Sequence, residues 1–259
     1  MIRTLRIGGV RSLGFRTDLM LRRMAGSSIV EHTGYLVVRT PANPGFWWGN
    51  FVLFADPPTR TDALAVFAAE FPGAAHVAIG VDRTDGILGD GLVDLGLTVE
   101  VNSVLTAQHL RAPSPGPDVR ALGSDEDWTQ AIELRLACYY QTPTSEERQF
   151  TERQVIEQRR LCDAGHGNWF GAFVQGRMRS GAGLFCNGGL ARFQSVETHP
   201  DFRRQGLASA VIGHAARWEP GAHTLVIVAD PDDHAIQLYR TLGFAEAEHQ
   251  IQLYRAPGP

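Results

Sequence analysis

The sequence of 259 residues contains no lysine, so all 24 of its basic residues are arginine. It has only three cysteines, Cys138, Cys162 and Cys186, and their wide spacing argues against a disulfide framework or a zinc site. No apolar run approaches the roughly 18 residues that a membrane-spanning helix needs, and the arginine-rich N-terminus does not resemble a signal peptide. A net charge of −4 argues against a broad nucleic-acid-binding surface. We therefore expect a cytoplasmic protein that binds neither membranes nor nucleic acids.

A proline-rich stretch divides the chain. Three prolines and a glycine lie within residues 111–119, and proline both removes a backbone donor and disfavours helix in the residue before it. The chain is long enough for two domains of ordinary size. We therefore expect a domain at residues 1–112, a linker at 113–118 and a second domain at 119–259.

The order of predicted elements indicates an α/β fold in the second half. A helix is predicted to begin at the Ser124/Asp125 cap, and a second, more polar helix follows it. Three strand-like runs come next, and then helix, strand, helix and strand. This order predicts a mixed sheet with parallel pairing in its middle. The first half repeats the order more faintly, which suggests an ancient duplication.

The segment "RRQGLAS", residues 203–209, has the composition of a phosphate-binding loop. The backbone N–H groups at a helix N-terminus have no intrahelical partner, and the helix dipole places partial positive charge there. Small residues such as Gly206 and Ala208 let a pyrophosphate approach the backbone, while Arg203 and Arg204 add positive charge and Ser209 a hydroxyl. A solvated turn before an ordinary helix is the alternative interpretation.

Two motifs in sequence order resemble the GNAT superfamily of acetyl-CoA-dependent N-acetyltransferases. Arg203-x-x-Gly206-x-Ala208 matches the family's phosphate-binding signature, and "DDHAIQLYRTLGF" matches the signature that follows it. The resemblance covers residues 119–259. It implies two tandem GNAT-like domains, each with a mixed, mostly antiparallel sheet flanked by helices and a splayed pair of parallel strands.

The resemblance also implies roles for individual residues. The pyrophosphate of acetyl-CoA would lie on the loop formed by Arg203, Arg204, Gln205, Gly206, Leu207, Ala208 and Ser209. The pantetheine arm would pair with the backbone of Val196 and Thr198. Asp232 would face the arm in place of the family's asparagine, although a carboxylate accepts hydrogen bonds and does not donate them. Tyr239 would be the general acid that protonates the departing thiolate.

Glu197 is a candidate general base for the attacking amine. It alternates with Val196 and Thr198 along the predicted strand, so its side chain should point to the opposite face of the sheet. Whether that face binds the acceptor depends on a bulge that the pattern does not locate, and the alternative is a surface carboxylate.

The first half departs from the family where the phosphate loop should be. It reads "FADPPTRTDAL" there, with two prolines that remove backbone donors and no R-x-x-G-x-G/A spacing. We predict a degenerate GNAT-like domain that binds no acetyl-CoA. Trp47 and Trp48 are predicted to lie on a strand of this half, one in the core and the other lining a groove or covering an interface.

Acetyl transfer from acetyl-CoA to a primary amine, on a small molecule or a peptide, is the predicted activity, and no metal is expected. The acidic cluster of Asp230, Asp232 and Asp233 is interpreted as helix capping. Two alternatives stay open: a non-catalytic sensor that binds acyl-CoA, and an acyltransferase of the mycothiol-synthase type. The sequence does not indicate the oligomeric state or the identity of the amine.

Overall fold

A computed structural model describes residues 5–88, 92, 96–111, 118–218, 221 and 223–256. The helices of the described residues are α1 (Leu13–Met24), α2 (Arg60–Glu70), α3 (Asp125–Tyr139), α4 (Ser145–Asp163), α5 (Leu207–Trp218) and α6 (Ala235–Leu242). The strands are β1 (Ser28–His32), β2 (Tyr35–Arg39), β3 (Phe51–Phe54), β4 (Val77–Val81), β5 (Thr98–Ala107), β6 (Asp118–Ala121), β7 (Gly167–Val174), β8 (Arg177–Asn187), β9 (Leu190–Thr198), β10 (Thr224–Ala229) and β11 (Ala245–Arg255).

The chain forms two compact units. Unit 1 comprises Met1–Leu105, Val228–Ile236 and Glu246–Pro259, and unit 2 comprises Thr106–Ile227 and Gln237–Ala245. Both contain helices and a mixed sheet, which confirms the α/β class and the two-domain architecture. Most of the predicted linker at 113–118 lies outside the described residues, so the predicted domain bounds stay a prediction. The last strand, β11, groups with unit 1.

Unit 1 is a mostly antiparallel sheet with one parallel pair. Its strands lie in the order β1-β2-β3-β4-β11-β5, and the parallel pair is β3 with β4. The chain's last strand, β11, runs antiparallel to β4, with Ile251 opposite Val81. Unit 1 is therefore completed by residues from the C-terminal end of the sequence.

The parallel pair of unit 1 does not splay, which corrects the expectation of a splayed pair in each domain. Val52–Phe54 stay in register with Ile79–Val81 up to the last residue of each strand, and the Asp82 N–H continues the ladder to the Phe54 carbonyl at 2.8 Å. Helix α1 packs against this pair. A Cβ added at Gly80 would lie 2.5 Å from Cζ of Phe15, a fully buried side chain of α1. Phe15 therefore fills the space beside the strands.

Trp47 and Trp48 do not lie on a strand, so that prediction is wrong. They lie in a 3-10 turn, Trp47–Gly49, that precedes β3. Trp47 stacks on Tyr254 of β11 with ring centroids 5.7 Å apart, and Trp48 packs on Phe51 at 5.6 Å. Both indoles are half-buried and pack against the core of unit 1. The turn is held because the Asn50 side-chain amide donates to the carbonyls of Asn43 and Phe46, which precede the turn, a contact that strand periodicity does not reveal.

Unit 2 carries five strands in the order β10-β9-β8-β7-β6. Helices α3 and α4 pack against each other; α3 also packs on β8 and β9, and α4 on β7. Helix α5 packs mainly on β7 and β8. The predicted cap of α3 is confirmed, because the Ser124 side chain accepts from the Asp127 N–H and the Asp127 carboxylate accepts from the Ser124 N–H.

Candidate active site

The parallel strands β9 and β10 part soon after they meet. Among the described residues, their parallel register covers only Leu190–Arg192 against Thr224–Val226, whereas β9 continues to Thr198. From Phe193 onward, the backbone of β9 therefore has no β10 partner in that register. The parting leaves an opening lined by strand backbone. Backbone groups that no longer pair with a neighbouring strand can pair with an extended ligand.

A β-bulge lies in β9 beside this opening. Gln194 pairs with Gly183 of β8 and Glu197 pairs with Gly181, so three steps along β9 match two along β8. Ser195 is the residue within the bulge that adopts a left-handed backbone, with φ of 47°. A bulge re-aims the side chains that follow it. The sequence left the position of this bulge open, and the structure locates it between Gln194 and Glu197.

Val196 and Thr198, the residues predicted to pair with a pantetheine arm, are half-buried; Val196 lies within the bulge and Thr198 beyond it. The Thr198 carbonyl accepts a long hydrogen bond from Arg203 Nε, at 3.4 Å. The Thr198 hydroxyl lies 2.9 Å from the hydroxyl of Ser180 on β8. The strand therefore leads directly into the arginine loop.

The loop between β9 and α5 exposes residues 203–206. His199 begins it by accepting from the Asp201 N–H, and a short 3-10 turn follows at Pro200–Phe202. Arg204 and Gly206 both adopt left-handed backbone, with φ of 64° and 79°. Such alternation brings successive N–H groups toward one side and makes an anion-binding concavity.

The first turn of α5 suits a diphosphate. The first hydrogen bond that closes onto Gly206 comes from the Ala210 N–H, at 3.0 Å, so the N–H groups of Leu207, Ala208 and Ser209 precede it. A Cβ added at Gly206 would meet no atom within 4 Å, so the glycine faces open space. The first turn holds no acidic residue. The other predicted loop residue, Gln205, donates to the Asp201 carbonyl at 3.4 Å.

Helix α2, the helix of unit 1 that corresponds to α5, has a capped and acidic N-terminus. Thr59 caps α2 by accepting from the Asp62 N–H, and the Asp62 carboxylate lies in the first turn. A capped N-terminus with a fixed negative charge disfavours a phosphate.

Glu197 is a buried carboxylate and not a surface one, which overturns the alternative interpretation. Its side chain is 4% exposed, and Oε1 accepts from Arg135 Nε of α3 at 2.7 Å. Burial raises the pKa of Glu197, and the charge and hydrogen bond of Arg135 oppose that rise. The carboxylate therefore has the raised basicity and the fixed position that a proton acceptor needs.

Cys138 lies close to the same groups. Burial is the main cause that raises the pKa of its thiol to about 11, and the negative charge of Glu197 adds to the rise. A hydrogen bond from the Thr198 backbone and the charge of Arg203 act in the opposite direction. Cys138 is therefore a neutral thiol near neutral pH, which makes it a poor nucleophile.

Tyr239 lies in α6 and is 5% exposed. Its ring packs edge-on against Phe244 at 6.2 Å, and Phe244 packs against Phe193 at 6.1 Å. Phe193 is the first residue of β9 beyond the register with β10. Tyr239 thus belongs to an aromatic cluster at the base of the opening in unit 2.

The acidic cluster before α6 caps backbone donors, as predicted. Asp230 Oδ1 accepts from the Asp232 N–H, and Asp233 Oδ1 accepts from the Ala235 N–H, both at 2.9 Å. The Asp232 side chain is exposed. Within the part of the chain that is described, no group of three or more His, Cys, Asp or Glu residues could hold a metal ion.

Comparison with known proteins agrees with this geometry. Residues 128–244 match the model of the Acetyltransferase (GNAT) family, a span that contains the splayed strand, the arginine loop and α6. These residues are the part of the chain that is similar to a GNAT domain. No curated protein matches the chain.

Solved structures resemble the whole chain. A functionally unknown conserved protein from Staphylococcus epidermidis has a TM-score of 0.75 at 13% identity, over 88% of this chain and 93% of its own. A GCN5-related N-acetyltransferase from Kribbella flavida has a TM-score of 0.67 at 17% identity, over 96% and 97%. A tandem GNAT protein from the clavulanic acid biosynthesis pathway has a TM-score of 0.52 at 13% identity, over 99% and 98%. Identities this low show a shared fold, here one that includes a second domain beside the GNAT domain.

Sequence reasoning missed two side chains of the site, Arg135 and Gln158. Both lie in helices that the sequence predicts, but Arg135 meets Glu197 across 62 positions of the chain. The only available signal was that a strand carboxylate buried in the GNAT domain needs a buried cation.

Among the described residues, no helix has the length and apolar character needed to cross a membrane.

Proposed function

We propose that the GNAT domain catalyses transfer of the acetyl group of acetyl-CoA to a primary amine. The observation that carries the proposal is the parting of β9 from β10 before a loop that has two exposed arginines and leads into the first turn of α5. An extended arm that ends in a diphosphate is complementary to both features, because strand backbone pairs with the arm and the helix N-terminus attracts the phosphates.

The proposed cosubstrate site follows from the positions of the residues. Arg203, Arg204 and the N–H groups from Gly206 to Ser209 hold the pyrophosphate, and Gln205 flanks it. The backbone of Val196 and Thr198 pairs with the pantetheine arm. When the arm binds, its hydrogen bond to the Thr198 carbonyl replaces the long one from Arg203. Asp232 remains a proposed neighbour of the arm.

When bound, acetyl-CoA supplies an acetyl group activated as a thioester. Glu197 removes a proton from the acceptor amine, which must be neutral to attack. The Tyr239 hydroxyl donates a proton to the departing sulfur, whose basicity is comparable to that of a phenolate. Backbone N–H groups of β9 next to the bulge stabilise the negative charge that develops on the carbonyl oxygen.

We propose that unit 1 binds no acetyl-CoA and serves to shape or brace the protein. Three observations support this: its parallel strands stay paired to their ends, Phe15 fills the space beside them, and Thr59 with Asp62 closes the N-terminus of α2. None of these features leaves room for an arm or attracts a diphosphate.

The test is release of free CoA from acetyl-CoA in the presence of a panel of primary amines, including polyamines, amino sugars and peptides with free α-amines. Release that depends on the acceptor, together with an acetylated product of the expected mass, supports the proposal. Tight binding of acetyl-CoA without acceptor-dependent release would favour a non-catalytic sensor. Product from a thiol precursor alone would favour an acyltransferase of the mycothiol-synthase type.

A further inference from the structure

A buried ion pair joins α3 to the splayed strand β9. Arg135 and Glu197 are 5% and 4% exposed, and Nε of Arg135 donates to Oε1 of Glu197 at 2.7 Å. Removing two charges from water is costly, and an apolar pair of the same size is often as stable. The pair therefore calls for an explanation other than stability.

The guanidinium of Arg135 is fixed from several directions. Nη1 donates to Oε1 of Gln158 on α4 at 3.1 Å, and the group lies over the ring of Trp169 on β7, 5.4 Å from its centre. Nη2 is buried and has no hydrogen-bond partner among the described residues. An unmatched buried donor is unfavourable, and native proteins retain such groups mainly where another role requires them.

The two oxygens of Glu197 are not equivalent. Oε1 is the oxygen that Arg135 holds, and no described residue donates to Oε2. The Glu197 backbone is also held, since its carbonyl accepts from the Ser180 hydroxyl at 2.7 Å. Both the main chain and one carboxylate oxygen are therefore fixed, which leaves the second oxygen available.

We propose that Arg135, braced by Gln158, is a positioning residue for acetyl transfer: it holds Glu197 by Oε1 so that Oε2 receives the proton of the acceptor amine. This inference rests on the proposed function. In the step, the amine N–H bond breaks, the proton goes to Oε2, and the nitrogen electron pair forms the bond to the acetyl carbon. The C–S bond breaks with its electron pair on sulfur, which takes a proton from Tyr239.

The electrostatics explain why a cation is needed at this place. A carboxyl group buried to this extent without a partner would hold its proton near neutral pH and could not accept another. Arg135 favours the ionised form of Glu197, whereas burial, the larger effect, raises the pKa of Glu197 above that of an exposed carboxylate. Cys138, a further titratable group that interacts with Glu197, stays neutral near neutral pH because burial raises the pKa of its thiol to about 11, and the positive charges of Arg203 and Arg135 act against that rise.

The experiment compares pH profiles of kcat/KM for the full chain and for Arg135→Met. In the variant we expect kcat at pH 7 to fall about 100-fold and the acidic limb to move up by about one pH unit or more, because the cation that lowers the carboxylate pKa is gone. Acetyl-CoA affinity, measured by calorimetry, should stay within about twofold, since Arg135 does not touch the phosphate loop. Glu197→Gln should remove the acidic limb altogether.

A second variant covers the case in which Arg135→Met does not fold. Gln158→Leu removes only the neutral brace, so we expect a folded protein whose kcat falls about three- to tenfold with unchanged acetyl-CoA affinity. The matched control is Arg148→Met, which breaks an exposed Arg–Glu pair between α4 and α3, with Arg148 Nη1 2.8 Å from Glu133. Its activity and pH profile should not change, because exposed ion pairs contribute little.

Two failures can be told apart. If the unaltered protein releases CoA with an amine but the acidic limb of Arg135→Met stays in place, the positioning role is wrong and the proposed function stands. If Arg135→Met does not fold and Gln158→Leu transfers acetyl groups at the full rate, the positioning role is also wrong. If the unaltered protein shows no acceptor-dependent release, the proposed function itself is contradicted, and this inference with it.

Discussion

The backbone at Gly206 allows the phosphate-binding hypothesis to be tested by one substitution. Gly206→Glu would place a carboxylate in the open space beside the loop, because a Cβ there meets no atom within 4 Å. Two effects follow. The φ of 79° strains any residue with a Cβ by roughly 1–2 kcal/mol, and the carboxylate repels a diphosphate.

The repulsion can be estimated from Coulomb's law. Two unit charges about 5 Å apart interact by about 0.8 kcal/mol in bulk water and about 3.3 kcal/mol at an effective dielectric constant of about 20. The loop is exposed on one side and backed by the protein on the other, so the value lies between these limits. We therefore expect the Kd for acetyl-CoA to rise by about 4-fold to about 250-fold.

Gly188→Glu is the matched control for this measurement. Gly188 also has positive φ, 58°, and open surroundings, but it lies in the turn before β9, at the other end of the strand from the loop. A nine-residue strand spans about 27 Å, well beyond the Debye length of about 8 Å at physiological salt. Calorimetry at 0.15 M salt should show weakened binding for Gly206→Glu alone. Equal acetyl-CoA affinity in the two variants would refute the assignment of the diphosphate to this loop.

Three further predictions concern the acid, the metal and unit 1. Tyr239→Phe should lower kcat by about 10- to 1,000-fold and leave the acetyl-CoA Kd nearly unchanged, as expected for loss of a general acid; equal losses in both would argue against that role. Adding EDTA should leave acetyl transfer unchanged in a CoA-release assay, and lost activity that a divalent cation restores would show that a metal takes part. Gly80→Ala should lower the free energy of unfolding by about 1–3 kcal/mol in chemical denaturation, because its Cβ would overlap Phe15, whereas Gly45→Ala meets open space and should be nearly neutral; similar stabilities would show that α1 does not pack tightly there.

Features with local signals were predictable from the sequence. The cap at Ser124, the glycine before α5 and the apolar periodicity of α3 each lie within a few residues of the element that they define. The arginine loop was recognisable for the same reason, since Arg203, Gly206 and Ala208 are close in sequence. Their order before α6 identified the GNAT domain that the family match confirms.

Features without a local signal were missed or predicted wrongly. Trp47 and Trp48 continue the apolar pattern of β3, yet side-chain hydrogen bonds from Asn50 fold them into a turn. Helix α1 was not predicted, although Ser12 caps it by accepting from the Phe15 N–H. The bulge at Ser195 has no characteristic residue, because a serine with positive φ is held there by the neighbouring strand and not by its own preference.

Short-range preferences in the chain were thus sufficient to locate the helices of the GNAT domain and the loop before α5 that is predicted to bind phosphate. The tertiary structure decided the rest: the pairing of β11 with β4, the parting of β9 from β10, and the burial of Glu197 against Arg135. Each of these depends on segments far apart in sequence, whose meeting is set by sheet register and by the burial of apolar surface. Burial also makes Glu197 a candidate base and not an ordinary strand carboxylate, because the low dielectric of the interior strengthens the effect of Arg135 on the protonation of Glu197.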